Sequence, residues 1–135
     1  MKVFVDTSAL LAILDADDRG HQRTAQAWKD LLADERDLVT SSYVLVEAFA
    51  LVQSRLGVDA TRALDQDLLP AVSVIWLEPE AHRAAVGALL TAGRRQLSLV
   101  DCASFEVMRR HGITTALTLD SHFAEQGFEV LPTVS

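Results

Sequence analysis

The sequence predicts an α/β domain: a short parallel sheet of about five strands, flanked by helices on both faces. Three observations carry this reading. Short apolar runs alternate with helical runs along nearly the whole chain, the pattern of strand–helix–strand units. Most of the helical runs open on Ser, Thr, Asp or Pro, and several close on Gly, which mark helix starts and stops. The chain has 135 residues, half of them hydrophobic, which suits one domain, 1–135, around one core.

The elements follow in order. Residues 2–5 (KVFV) carry two valines, end at Asp6 and read as a buried strand. Thr7-Ser8 opens an apolar helix to about residue 14, and residues 15–20 form an acidic, polar break. Residues 21–32 are amphipathic, with Ala25, Trp28, Leu31 and Leu32 on one face. Residues 38–40 form a short strand. Ser41 or Ser42 caps a long helix over 43–56, and Gly57 stops it. Asp59 caps a further helix, with Ala60, Ala63, Leu64 and Leu68 at helical spacing and Pro70 near its end. Residues 73–77 (SVIWL) read as a strand. Pro79 falls in the first turn of a helix reaching Ala92, where a missing N–H is harmless. Ser98 caps a helix to about His111, stopped by Gly112. Residues 115–119 form a strand, 120–123 a turn or short helix, and 129–131 a last strand. No repeat, low-complexity segment or linker divides the sequence.

Composition narrows the class. The single cysteine, Cys102, excludes an internal disulfide and a cysteine-rich zinc site, and a reducing cytoplasm is the expected compartment. Asp6 and Asp15 bracket the N-terminal apolar run, so neither a secretory leader nor a membrane span is expected. A net charge of −7 argues against a duplex-coating protein, while leaving room for local phosphate contacts.

Open parallel sheets bind ligands beyond the carboxyl ends of their strands. Asp6 follows the first strand and Asp120 the strand over 115–119. Asp101 lies in the first turn after Ser98, and Glu47 one turn into the helix after residues 38–40. All four can reach one sheet edge. Three of them also have a purely structural reading. Asp6 can cap a helix, Ser98-Leu99-Val100-Asp101 is a capping box, and Asp120 can cap a turn. Glu47 is the only charge within residues 43–52, a stretch apolar on nearly every face. A buried carboxylate is costly unless paired or metal-bound, and metal ligation is preferred here to an arginine salt bridge. Converging carboxylates repel unless a cation intervenes, and hard oxygen donors select Mg²⁺ or Mn²⁺ over zinc. Such a centre suits phosphoryl chemistry.

Arg19 and Arg23, beside His21, are candidates for RNA-backbone contact or for a solvated helix start. Arg94, Arg95, Arg109, Arg110 and His111 lie at helix ends, where cations complement the dipole. His122 can serve as an acid or base, but a lone histidine reads first as a surface residue. Cys102 reads as core, as do Trp28, Trp76 and Phe105, with base stacking open to an exposed aromatic but not to all three.

Four strings, in this order, resemble the PIN-domain family and its VapC-like toxins. They are Val5-Asp6-Thr7-Ser8-Ala9-Leu10, Thr40-Ser41-Ser42-Tyr43-Val44-Leu45-Val46-Glu47, Leu97-Ser98-Leu99-Val100-Asp101-Cys102-Ala103-Ser104-Phe105 and Leu117-Thr118-Leu119-Asp120-Ser121-His122-Phe123. The resemblance implies a PIN-like three-layer fold and Mg²⁺- or Mn²⁺-dependent endoribonuclease activity as the toxin of a type II toxin–antitoxin pair. It places Asp6, Glu47, Asp101 and Asp120 on the family's acidic positions. Asp6 and Asp101 would be main ligands, Glu47 a ligand or a water-orienting group, and Asp120 part of a weaker site. Thr7, Ser8 and Thr118 fall on small hydroxyl positions that would hold the carboxylates; Ser8 can equally be a helix cap. Homodimers and a cognate antitoxin that blocks the site are implied as well. A phospho-acceptor receiver domain is the rival of another class. It calls for an acidic pair beside the first strand and a late lysine, yet no acidic neighbour adjoins Asp6 and no lysine follows Lys29. A catalytically silent protein of the same fold is the third reading.

Overall fold

The structure, a computed structural model, describes residues 1–133; the last two residues of the expected 1–135 domain lie outside it. Five strands form one sheet in the order β3-β2-β1-β4-β5, every neighbouring pair parallel. The strands are β1 (Lys2–Val5), β2 (Asp37–Ser41), β3 (Val72–Ile75), β4 (Thr115–Leu117) and β5 (Glu129–Leu131). The expected α/β class and strand number are both found.

β1 sits at the centre. Val3, Phe4 and Val5 are buried in succession, so both faces of the strand are covered, as a parallel sheet between helical layers requires. From β1 the chain builds outward to β2 and β3, then returns to the other side of β1 for β4 and β5. The order reverses between β1 and β4. At such a switch point the loops at the carboxyl ends diverge and leave a crevice.

Seven helices flank the sheet: α1 (Thr7–Leu14), α2 (His21–Ala33), α3 (Ser42–Leu56), α4 (Val58–Ala63), α5 (Pro79–Ala92), α6 (Leu99–Arg110) and α7 (Ser121–Glu125). α6 is deeply enclosed, burying Cys102, Ala103, Phe105, Val107 and Met108. Phe105 meets Phe123 of α7 edge-on at 5.0 Å between ring centres, which seats that short helix against the core. No helix among the described residues is long and apolar enough to cross a membrane.

Several expectations change. Gly57, at φ 93°, ends α3 and at once caps α4, a backbone conformation that glycine adopts freely. Asp59 therefore lies inside the first turn of α4, paired with Arg62 at 3.0 Å. The run expected to continue as helix loosens into a π-helical turn, Leu64–Leu68, and a 3₁₀ turn, Leu69–Ala71. β3 ends at Ile75, so Trp76 falls beyond the edge strand and is 66% exposed rather than part of the core. α3 is not enclosed on all sides. It buries Ser42, Val44, Ala48 and Val52, while Val46 on the outer side is 69% exposed. Glu47 is half-buried rather than buried.

Candidate active site

Four elements meet at the β1/β4 switch point. Asp6 follows β1 directly and its N–H donates to the carbonyl of Leu117 at 3.0 Å. Asp6 is thus tied to the end of β4 as well as to β1. The residue is only 4% exposed. Ser8 Oγ donates to Asp6 Oδ2 at 2.8 Å and Thr118 Oγ1 donates to the same oxygen at 2.9 Å. The two hydroxyls lie 3.1 Å apart. Each has one proton, so once both are donated to Asp6 their mutual approach reflects convergence on one acceptor. The hydroxyls also accept: Leu119 N–H donates to Ser8 Oγ and Asp120 N–H to Thr118 Oγ1, both at 2.9 Å. This network clamps the turn after β4 onto the start of α1.

Asp120 caps α7, accepting the His122 N–H on Oδ1 at 2.9 Å. Asp101 closes the capping box of α6. Ser98 Oγ accepts from its N–H, and its Oδ2 accepts from the Ser98 N–H, each at 3.1 Å. The capping readings of Asp101 and Asp120 therefore hold, and they aim both carboxylates at one point. Ligand atoms of Asp101, Asp120 and His122 all lie within 4.8 Å of one another.

Asp6 completes the charge cluster. Burial, opposed by the Ser8 and Thr118 hydrogen bonds and reinforced by the negative charges of Asp101 and Asp120, raises its pKa from 3.8 to about 6. Asp101 is also raised, first by burial, with Asp120 adding to the shift and His122 opposing it. A carboxylate cluster held at this cost in the ion-free state is a ready cation site.

His122 is a correction. A lone histidine read as a surface residue; its side chain is 13% exposed and its Nδ1 lies 2.9 Å from Asp120 Oδ1 and 3.7 Å from Asp101 Oδ2. The cap on Asp120 turns residue 122 back towards the cluster. A histidine two residues after a capping aspartate was the available signal. Thr7 is buried, but its hydroxyl has no hydrogen-bond partner among the described residues, so unlike Ser8 and Thr118 it holds no carboxylate. Glu47 makes no hydrogen bond or ion pair among the described residues and stands outside the Asp101–Asp120–His122 group.

A groove of about 410 Å³ meets the cluster at Asp120 alone and is lined by Arg19, Gly20, Arg23, Thr118, Asp120 and Ser121 among others. Arg19 and Arg23 are exposed, so two cations line the groove that adjoins Asp120. A larger hollow of about 630 Å³, lined by Met1, Arg23, Thr115, Glu129 and Pro132 among others, does not contain the cluster.

The comparisons with known proteins agree. The PIN domain profile matches residues 3–129. The 23S rRNA-specific endonuclease VapC20 of Mycobacterium tuberculosis is 33% identical over 132 residues, covering 96% of this chain and 98% of that protein. Ribonuclease VapC26 of the same organism is 33% identical over 124 residues, covering 90% of each chain. The crystal structure of Mycobacterium tuberculosis VapC20, described as a sarcin–ricin loop cleaving toxin, superposes with a TM-score of 0.81 at 34% identity, covering 93% of this chain and 95% of that one. The chain therefore belongs to the PIN-domain family, in its VapC-like ribonuclease branch.

Proposed function

We propose that this chain hydrolyses RNA at the Asp6–Asp101–Asp120 cluster with a bound Mg²⁺ or Mn²⁺, as the toxin of a toxin–antitoxin pair. The observation that carries the reading is that Asp101, Asp120 and His122 bring ligand atoms within 4.8 Å of one another at the switch point of a PIN-domain sheet, with the buried Asp6, itself outside that group, close enough to feel both carboxylate charges. The donor set fits a divalent cation. It offers hard oxygens and a histidine nitrogen, and His122 Nδ1 is buried with no hydrogen-bond partner among the described residues. Such an ion supplies charge neutralisation at the phosphodiester and a water of lowered pKa.

The chain's own residues do the rest. Asp6, Asp101 and Asp120 hold the cation. Ser8 and Thr118 fix the rotamer of Asp6 by donating to Oδ2, and no hydrogen bond among the described residues reaches Oδ1. Glu47, half-buried on α3, is assigned to ligate or to orient water at the edge of the site. Thr7 supports the turn by packing. Arg19 and Arg23 guide the RNA backbone along the groove they line.

For substrate we assign a structured loop of ribosomal RNA, supported by the near full-length similarity to the 23S rRNA-specific VapC20. A protein antitoxin and a homodimer are proposed too. The fold recurs in VapBC2 of Rickettsia felis, bound there to a promoter DNA fragment, with a TM-score of 0.72. Val46, Trp76 and Leu90 leave apolar surface exposed, as protein contacts need.

Incubating the protein with ribosomes and Mg²⁺ or Mn²⁺, then mapping RNA ends by primer extension, tests the reading. We expect one dominant cut, absent with EDTA and with Asp6→Ala. Cleavage that survives both treatments would sink it.

A further inference from the structure

We propose that His122 is a direct nitrogen ligand of the divalent cation, which makes the site prefer Mn²⁺ to Mg²⁺. The inference rests on the metal-site reading above and deepens it.

The geometry carries it. His122 Nδ1 stands 2.9 Å from Asp120 Oδ1 and 3.7 Å from Asp101 Oδ2. Adjacent ligands about 2.0–2.1 Å from one octahedral ion lie roughly 3 Å apart, so the shorter contact is the spacing of two donors to one cation. The approach is not a hydrogen bond: Nδ1 is buried and has no partner that satisfies hydrogen-bond geometry. Among the described residues, the only hydrogen bond on Asp120 Oδ1 comes from the His122 backbone N–H, at 2.9 Å. A buried imidazole nitrogen without a donor or acceptor is costly, and a cation shared with both carboxylates removes that cost. The backbone holds the ring in place, since Asp120 caps α7 and Phe123, the next residue, is fully buried.

The consequence is selectivity. Carboxylates alone accept Mg²⁺ and Mn²⁺ alike. Of the two ions, Mn²⁺, a first-row transition metal, accepts an imidazole in its shell, whereas Mg²⁺ keeps to oxygen ligands and water. The competing role for His122 is that of a protonated counter-ion, which would occupy the cation's place and compete with it. The two roles predict opposite signs on removal.

Pulsed electron paramagnetic resonance of Mn²⁺ bound to the full chain reads the ligand directly. We expect ¹⁴N modulation from a coordinated imidazole, converted to ¹⁵N modulation when histidine is ¹⁵N-labelled, and lost in His122→Gln and His122→Phe. Calorimetry should show Mn²⁺ affinity falling by at least about tenfold in both variants, the lower end of what losing even an outer partner costs, with Mg²⁺ affinity changing much less. Thermal unfolding of the ion-free proteins checks that each variant is folded, and the labelled wild-type spectrum stands if one is not. Bound Mn²⁺ without histidine modulation overturns the inference and leaves the carboxylate site standing. So do variants that bind both metals equally or more tightly. A wild-type chain that binds no Mn²⁺ at millimolar concentration overturns both.

Discussion

Thr118 Oγ1 donates to Asp6 Oδ2 at 2.9 Å, joining residues 112 positions apart. The bond ties the end of the central strand to the turn after β4, and it stabilises the ionised form of a buried carboxylate. Thr118→Val removes the donor while keeping the shape. Asp6 then loses one of the two hydrogen bonds that lower its pKa. We expect Mn²⁺ affinity and RNA cleavage to fall about 10- to 100-fold. Stability should fall by about 1–3 kcal/mol, because a charged acceptor loses its partner. Calorimetric titration and urea unfolding check the two effects separately.

The raised pKa of Asp6 has a signed effect on stability. Between pH 3.8 and about 6 the folded state binds the Asp6 proton more tightly than the unfolded state does. The ion-free protein therefore loses stability as pH rises through that window, by up to about 3 kcal/mol from this group alone. Asp6→Asn removes the charge and hence the loss. The variant should gain on the wild type as pH rises from 4 to 7, read by urea unfolding in EDTA. An unchanged difference between the two proteins across that range refutes the assignment. Saturating Mn²⁺ at pH 7 should restore the lost stability to the wild type only.

Asp101 serves the helix and the site at once, and two substitutions separate the roles. Asp101→Asn retains an oxygen that can accept the Ser98 N–H, so the capping box persists. Cleavage should disappear while stability changes by less than about 1 kcal/mol. Ser98→Ala removes the acceptor for the Asp101 N–H. It should cost about 1 kcal/mol with cleavage retained within a few-fold. Thermal unfolding alongside single-turnover cleavage reads both.

Arg19 and Arg23 line the groove without touching the carboxylates by any hydrogen bond or ion pair among the described residues. Replacing both with alanine should raise KM and leave kcat within a few-fold. If each neutralises one phosphate of a single-stranded segment, the slope of log affinity against log salt falls by about 1.4. Filter binding of RNA to an inactive Asp101→Asn background measures it. An unchanged slope removes both residues from the RNA path.

Much of the fold was legible because the relevant signals are local. The valines of β1, the Ser41 and Ser98 caps and the stop at Gly57 act within a few residues of themselves. The alternation of strands and helices then leaves few architectures open. Where the reading failed, the deciding contact was distant. Trp76 is exposed because β3 ends at the sheet edge one residue earlier. α3 is apolar nearly throughout, yet Val44, Ala48 and Val52 are buried, Tyr43, Phe49 and Leu56 pack only partly against the core, and Val46 is left exposed. Composition along a helix does not say how many of its sides find a neighbour.

The candidate site divides the same way. By itself the sequence determined that aspartates stand directly after β1 and in the first turn of α6, because strand ends and caps are set by neighbouring residues. The strand expected over 115–119 ends at Leu117, which leaves Asp120 in the turn that caps α7. Only the tertiary structure decided that β4 lies beside β1. That pairing brings Thr118 and Ser8 onto one oxygen of Asp6. Strand order is a property of how the whole chain packs, and no local periodicity encodes it.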